Sequence, residues 1–398
     1  MAPPRLGGGF RWLLGSSWLS NLGDGMAVSA GPLLVASLTG DPVLVALAAL
    51  LQWLPPLLLG LHAGALSDRL DRRLLVVCVD SVRAVIVLVL ALAVTTGHET
   101  IAMVLVALFA LGCTEVFADN TTSTLLPMLV ERQDLAVGNA RLMTGFVTVN
   151  QLVGPAVGAA LFAAAAWTPF ASYAVLVGLA ALLVSRISLP EHRPQQRRSL
   201  RADIGEGLRW TLHHAAVRTL VLTIFTFNIT FGAAWSILVL YARHRLGLGA
   251  LGFGLITSVS AFGGLAGTLA YGALTRRISL GNLMRVGLVV ETLTHLALAL
   301  TTTAWVAMVV FFVFGAHAFV WGTTSVTVRQ RAVPLDLQGR VGAVNSVGTY
   351  AGLVLGSAVG GLIARHWGVT APFWFAFGGS ALFVLLIWRE LRHVAADD

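Results

Sequence analysis

The chain has 398 residues, 57% of them hydrophobic and only 11% charged, with a formal net charge of +8. So apolar a composition excludes a soluble globular domain and a polar disordered chain, because too little of the surface would be solvated by water. What remains is a protein whose solvent is largely lipid.

Apolar runs long enough to cross ~30 Å of hydrocarbon, about 20 helical residues each, fall at 13–38, 43–66, 74–95, 100–122, 142–164, 168–188, 218–241, 251–275, 283–302, 304–328, 341–363 and 371–388. Backbone groups facing lipid must be paired within their own segment, and no alternating barrel pattern is present, so these are helices. The expected fold is all-α and integral to the membrane, with twelve transmembrane helices.

Several spans carry residues that lipid penalises, at about 2.5–3.5 kcal/mol for a mid-membrane charge. The first contains "NLGDGM", where Asp24 and Asn21 make a polar patch and Gly23 and Gly25 admit close approach of a helix or a substrate. The second runs into "GALSDRLDRR" (64–73), a loop of interleaved charges. The third holds Asp80 and Arg83. In the fourth, Glu115 and Asp119 are spaced i, i+4 and share a face. Two carboxylates that close in a poorly hydrated place resist joint ionisation, a condition for taking up and releasing a proton. They either line a central cavity or lie nearer the cytoplasmic end, paired with Arg141. The fifth contains "NQLVGPAVGAA" (150–160), with Asn150 and Gln151 as hydrogen-bonding candidates. The seventh adds Asn228 and Trp235. In the ninth, Glu291 and His295 repeat the i, i+4 spacing, with Arg285 as a candidate partner for Glu291. His62, His295 and His317 read first as packing or hydrogen-bonding residues. Cys78 and Cys113, in separate spans with no metal-ligand spacing, read as small buried hydrophobes.

There is no lysine; all 26 basic residues are arginine. Assigned loop by loop they gather on one side, with only Arg243, Arg245 and Arg365 opposite, which places both termini in the cytoplasm. Topology accounts for the positive charge without a nucleic-acid partner. The first span, followed directly by "TGDP" and a second span, reads as a retained helix rather than a cleaved signal.

The longest polar interruption, 189–217, falls near mid-chain and divides it into an N-terminal six-helix bundle (1–188), a cytoplasmic central loop (189–217) and a C-terminal six-helix bundle (218–398). "GALSDR" (64–69) recurs as "GALTRR" (272–277), "VGPAVGAAL" (153–161) as "LGSAVGGLI" (355–363), and Pro169-Phe170 as Pro372-Phe373, at nearly the same separation each time. Such a tandem duplication in a membrane protein points to a transporter with its site where the repeats meet.

The loop after the second span resembles the signature of the major facilitator superfamily, G-x-x-x-D-R-x-x-R-R, matching at Gly64, Asp68, Arg69, Arg72 and Arg73. The twelve spans and the 6+6 duplication extend the resemblance over nearly the whole chain. It implies a cytoplasmic gate in which Asp68 faces a helix end of the other half, Gly64 allows close approach, and Arg69, Arg72 and Arg73 are partners. Asp80, Arg83 and Arg340 are candidate members of that network. "NQLVGPAVGAA" resembles the antiporter motif G-x-x-x-G-P-x-x-G-G at Gly154, Pro155 and Gly158, with Asn150 and Ala159 replacing the outer glycines. The fourth span lacks the arginine of many drug/proton antiporters, and "LPMLVERQDLAVGNARL" and "RQRAVPLDLQGRVGAVNS" resemble the branch of macrolide-efflux and enterobactin-export proteins.

No phosphate loop, HExxH or GxSxG is present, which argues against an ATP-driven pump, an enzyme, a cofactor or a metal centre. The expectation is a monomeric exporter of the inner (cytoplasmic) membrane that moves amphipathic small molecules by alternating access, in exchange for protons carried by Asp24 with Glu115 or Asp119. Two alternatives stand beside it: an exporter dedicated to one metabolite, such as a siderophore or a self-made antibiotic, and a non-transporting sensor or assembly partner.

Overall fold

The computed structural model describes residues 6–67, 70–189 and 200–388. Asp68 and Arg69 of the charged loop, and residues 190–199 of the central interruption, lie outside the described residues. Among the described residues all regular structure is helical. The first part of the chain forms α1 (Gly7–Leu38), α2 (Pro42–Ser67), α3 (Arg72–Thr96), α4 (Ile101–Leu129), α5 (Leu135–Gly145), α6 (Gly154–Ala164) and α7 (Thr168–Ser185). Then follow α8 (Leu200–His213), α9 (Ala215–Trp235), α10 (Leu238–His244), α11 (Ala250–Thr275), α12 (Leu280–Leu300), α13 (Ala304–Ala332), α14 (Gln338–Trp367) and α15 (Ala371–Ile387).

Ten spans are long and apolar enough to cross a membrane, α5 and α6 counting within one that runs Arg132–Ala164. Two further helices complete the expected twelve. α15 is strongly apolar but only 17 residues long, and α1, at 32 residues, is long but diluted by Ser16, Ser17, Ser20, Asn21 and Asp24. Leu382, Leu385 and Leu386 of α15 are 60%, 76% and 70% exposed. Such a leucine row, set against the polar clusters buried inside, is the surface that hydrocarbon covers. Cys78, expected inside, is exposed on α3.

Local chemistry sets several helix ends. Asp71 accepts the Leu74 N–H at 2.9 Å and starts α3, while Gly97, at φ +68°, ends it in a left-handed turn that side chains resist. Thr100 caps α4 through the Met103 N–H, and Ser279 caps α12. The fifth span departs from a plain helix. A π-helical segment, Phe146–Val153, joins α5 to α6, whose first turn contains Pro155. Proline supplies no N–H to the turn before it, and widened turns of this kind mark sites where a helix adapts to its neighbours.

The residues cluster into two units. The first contains 1–39, 54–196 and 250–258; the second contains 40–53, 197–249 and 259–398. In the first, Phe10, Leu13, Val76, Leu125 and Val184 form one apolar cluster, and Val87, Leu111, Tyr173 and Val177 another. α6 packs on α1 through small residues: a Cβ on Gly158 would meet the Met26 Cα at 2.7 Å, and one on Gly154 the Gly25 Cα at 2.7 Å. Ser29 donates to the Pro155 carbonyl at 2.8 Å across this seam, and Ser258 donates to Leu152 O at 2.7 Å. Gly154, Pro155 and Gly158 of the antiporter-like motif therefore form a helix–helix seam inside the first unit.

The second unit repeats the seam. Gly352, Gly356 and Gly360 of α14 lie against Phe225, Ile229 and Ala233 of α9. Its larger apolar cluster joins Leu220, Ile224, Phe227, Leu283, Met284 and Leu288. Within the central interruption, read from sequence as a loop, residues 200–213 form α8. Glu206 there pairs with Arg340 of α14 at 2.8 Å, and Trp210 packs against Val217, Val333 and Val341. Its apolar positions are too few beside the five arginines of the polar stretch 189–217 to stand out by hydropathy. Arg340 thus has a partner in this unit.

Candidate functional site

The first unit buries a network of charges around Asp24 of α1. Arg83 of α3 is 1% exposed and Asp24, by side chain, 10%. The Arg83 fork donates one Nη2 bond to Asp24 Oδ1 and another to the Tyr173 hydroxyl of α7 at 2.7 Å. Its Nη1 donates to Asp80 Oδ1 at 3.1 Å, one turn back on α3, and to Ser20 Oγ at 3.0 Å. Tyr173 in turn donates to Asp24 Oδ1, and Ser20 lies 3.5 Å from the other carboxylate oxygen. Two carboxylates, a hydroxyl and a phenol from three helices thereby surround one guanidinium.

The backbone allows this because Gly23 has no side chain. A Cβ there would run into the Tyr173 ring, so glycine is what lets α7 bring its phenol onto α1. Gly25 plays the corresponding part against the backbone of Asn150.

Glu115 and Asp119 of α4 fall in the electrostatic field of Asp24 and Arg83, on a helix that packs against α1. The Nη1 and Nη2 bonds of Arg83 go to Asp24, Asp80, Ser20 and Tyr173 and to neither α4 carboxylate, and its buried Nε has no partner among the described residues. Arg141 is exposed on α5. Glu115 is half-buried and Asp119 exposed on α4, so among the described residues Asp24 and Asp80 are the carboxylates that the buried guanidinium pairs with.

The other sequence candidates are placed as follows. Asn21 donates to Ser17 O at 2.8 Å, within its own helix. Gln151 buries Oε1 without a partner among the described residues, and Asn228 donates to Ile224 O at 2.7 Å. Trp235 stacks on Phe231 with centroids 4.4 Å apart. Arg72 donates to Met128 Sδ, and Arg73 to Ile187 O at 3.2 Å, just past α7. Glu291 faces His317 of α13 at 3.5 Å rather than Arg285, which donates to Asn282 and lies over the Trp388 ring.

Two corrections concern the charged residues of the third span. Asp80 and Arg83, grouped from sequence with the cytoplasmic loop, belong to the Asp24 site. α3 carries them two to three turns into the helix, beyond Arg72 and Arg73 of its first turn. Tyr173 and Ser20 were missed altogether. The available signal was Arg83 itself: an arginine inside a span needs acidic partners at its own depth, and Asp24 was the acid without one.

The transmembrane secretion effector family matches residues 1–397 of this sequence. The chain belongs to that family of major facilitator transporters. A tetracycline resistance protein, class C, of Escherichia coli is 26% identical over 94% of each chain. The multidrug efflux pump Tap of Mycolicibacterium fortuitum is 26% identical over 91% of this chain and 90% of its own. Among solved structures, the nucleoside transporter NupG superposes with a TM-score of 0.79 over 96% of this chain and 99% of its own; at 11% identity the likeness is one of fold. The protein is therefore a multi-pass membrane transporter of small molecules, not an enzyme.

Proposed function

We propose that the protein exports amphipathic, cationic drug-like compounds across the cytoplasmic membrane in exchange for protons, by alternating access and with both termini in the cytoplasm. The observation that carries this reading is the charge balance around Arg83: it pairs with Asp24 and Asp80, while half-buried Glu115 and exposed Asp119 add two carboxyl groups on α4 in the same field, with no ion pair of their own among the described residues. Within membrane-spanning helices such an excess of carboxyl groups is relieved by binding protons or an organic cation, and the two compete for the same groups. Tetracycline-resistance and multidrug-efflux relatives support an export direction. One proton crossing ~100 mV contributes roughly 2.3 kcal/mol before any pH gradient is added.

In this reading Asp24 is the exchanging group. Arg83 holds it in place between turnovers, and Glu115 and Asp119 take up the proton or the cation that displaces it. The charged loop from Gly64 to Arg73, with Asp68, acts as the cytoplasmic gate.

The test is substrate-driven proton release in inverted membrane vesicles, with a panel of macrolides, lipophilic cations and siderophores, comparing wild type with Asp24→Asn at equal protein levels. Loss of flux in the variant is the expected result. Flux of undiminished size would overturn the assignment of Asp24. A response confined to one scaffold would replace a multidrug exporter with a dedicated one.

A further inference from the structure

The second unit buries a polar cluster of its own, away from Asp24. Glu291 sits midway along α12, 13% exposed by side chain, and its Oε2 is 3.5 Å from Nε2 of His317, which is 6% exposed. His295, one turn further along the same face of α12, is 0% exposed and lies in the electrostatic field of His317. Among the described residues neither ring nitrogen of His295 has a hydrogen-bond partner, nor does Nδ1 of His317 or Nε1 of Trp321. Aromatic rings close the cluster: Trp235 meets His295 edge-on at 5.9 Å, and Phe314 meets His317 at 6.0 Å.

Among the described residues the packed elements bring no fixed cation within ion-pair distance of this carboxylate. α15, which packs on α12, has no titratable side chain between Ala371 and Ile387. α9 contributes Phe231 and Trp235. α11, which packs on α13, contributes Tyr271, whose hydroxyl lies at Thr324. Arg285 donates Nη1 to Asn282 and lies over the Trp388 ring, and its buried Nε has no partner among the described residues. A deprotonated Glu291 beside a neutral His317 would be a lone negative charge in the middle of a span, and one added proton neutralises the pair. The cluster is also too tight for a drug: a Cβ on Gly287 would meet Trp321 Cδ1 at 2.6 Å and His317 Nδ1 at 3.0 Å. A proton needs no such room.

We propose that Glu291 and His317 form a second proton-binding site, contained within the second unit, with His295 as the neighbouring acceptor on the same helix face. The proton is shared between Glu291 Oε2 and His317 Nε2, and the pair alternates between net negative and neutral. Its role in transport rests on the proton-exchange reading above, whereas its existence does not.

The experiment is a proton-uptake titration of the purified protein in detergent, followed by an indicator dye and by the infrared carboxyl band, without substrate. Asp24→Asn serves as the parent, compared with Asp24→Asn/Glu291→Gln and Asp24→Asn/His317→Gln. The parent is expected to keep a protonation step that Glu291→Gln abolishes together with its share of the carboxyl band. His317→Gln is expected to move the midpoint of the same step while the band remains. A parent that titrates identically to both double variants would overturn the proposal. If Glu291→Gln does not yield folded protein, the His317→Gln comparison decides alone, an unmoved midpoint being the overturning result. Absence of drug-driven proton flux in wild-type vesicles would defeat the exchange reading and leave this step in place.

Discussion

Counted from the first residues of their helices, Arg83 holds in α3 the place that Glu291 holds in α12. Likewise Glu115 and Asp119 of α4 correspond to Ala318 and Gly322 of α13. The two repeats share glycine seams, and α4 and α13 are both 29 residues long, yet at matching depth one repeat carries a guanidinium among acids and the other a carboxylate beside imidazoles. Where α4 presents acids, α13 presents a hollow of about 650 Å³ lined by Ala318, Gly322, Thr323 and Gln330 among others. Duplication thus preserved the packing surfaces and left the buried polar positions free to diverge. The first cluster is anchored by a cation that does not give up its proton. In the second, the charged positions are all titratable.

That contrast breaks most readily at Arg83. Arg83→Met leaves Asp24 and Asp80 buried without their cation, and an uncompensated buried charge costs about 3–5 kcal/mol. The expected outcome is a large fall in thermal stability in detergent, partly restored in Arg83→Met/Asp24→Asn. A variant as stable as wild type would mean that Arg83 is no anchor.

A smaller effect tests what the units have in common. Gly158→Val in the first unit and Gly356→Val in the second each push a side chain into the facing backbone. Overpacking of this kind costs about 1–3 kcal/mol, so comparable losses of melting temperature are expected. A loss confined to one unit would show that the two seams are not equivalent.

The smallest expected effect is at the surface of the second unit. Glu206 is 56% exposed where it meets Arg340, and exposed pairs contribute about 0–1 kcal/mol. Glu206→Gln should leave thermal stability nearly unchanged, with little dependence on salt. A marked loss would make α8 an integral part of that unit rather than a helix resting on α14.

Much of the fold was legible in the sequence because hydropathy over about 20 residues reports directly on the cost of placing a segment in lipid. Every expected span overlaps a helix. The exceptions have local causes: α8 hides among arginines, and the turns before Pro155 widen. The acids of the site were legible too, since Asp24, Glu115, Asp119 and Glu291 stand out against apolar surroundings. Their partners were not. Nothing in the sequence near Asp24 points to Tyr173, far away along the chain; Arg83 offered only the signal of an arginine inside a span, and the nearby Asn21 turns out to bond its own helix at Ser17. Glu291 had Arg285 close in sequence and His317 on another helix, and the structure pairs it with the second.

By itself the sequence determined the lipid-spanning segments, the uneven placement of arginine among the loops, the recurrence of segments between the two halves, and which helices carry a charge that needs company. Only the tertiary structure decided who provides that company. A helical period assigns each side chain to a face, but the rotation of the helix and the neighbour it meets are set by close packing at small residues such as Gly23, Gly25 and Gly158. Those contacts brought α1, α3 and α7 together around Arg83, and α12 and α13 around Glu291.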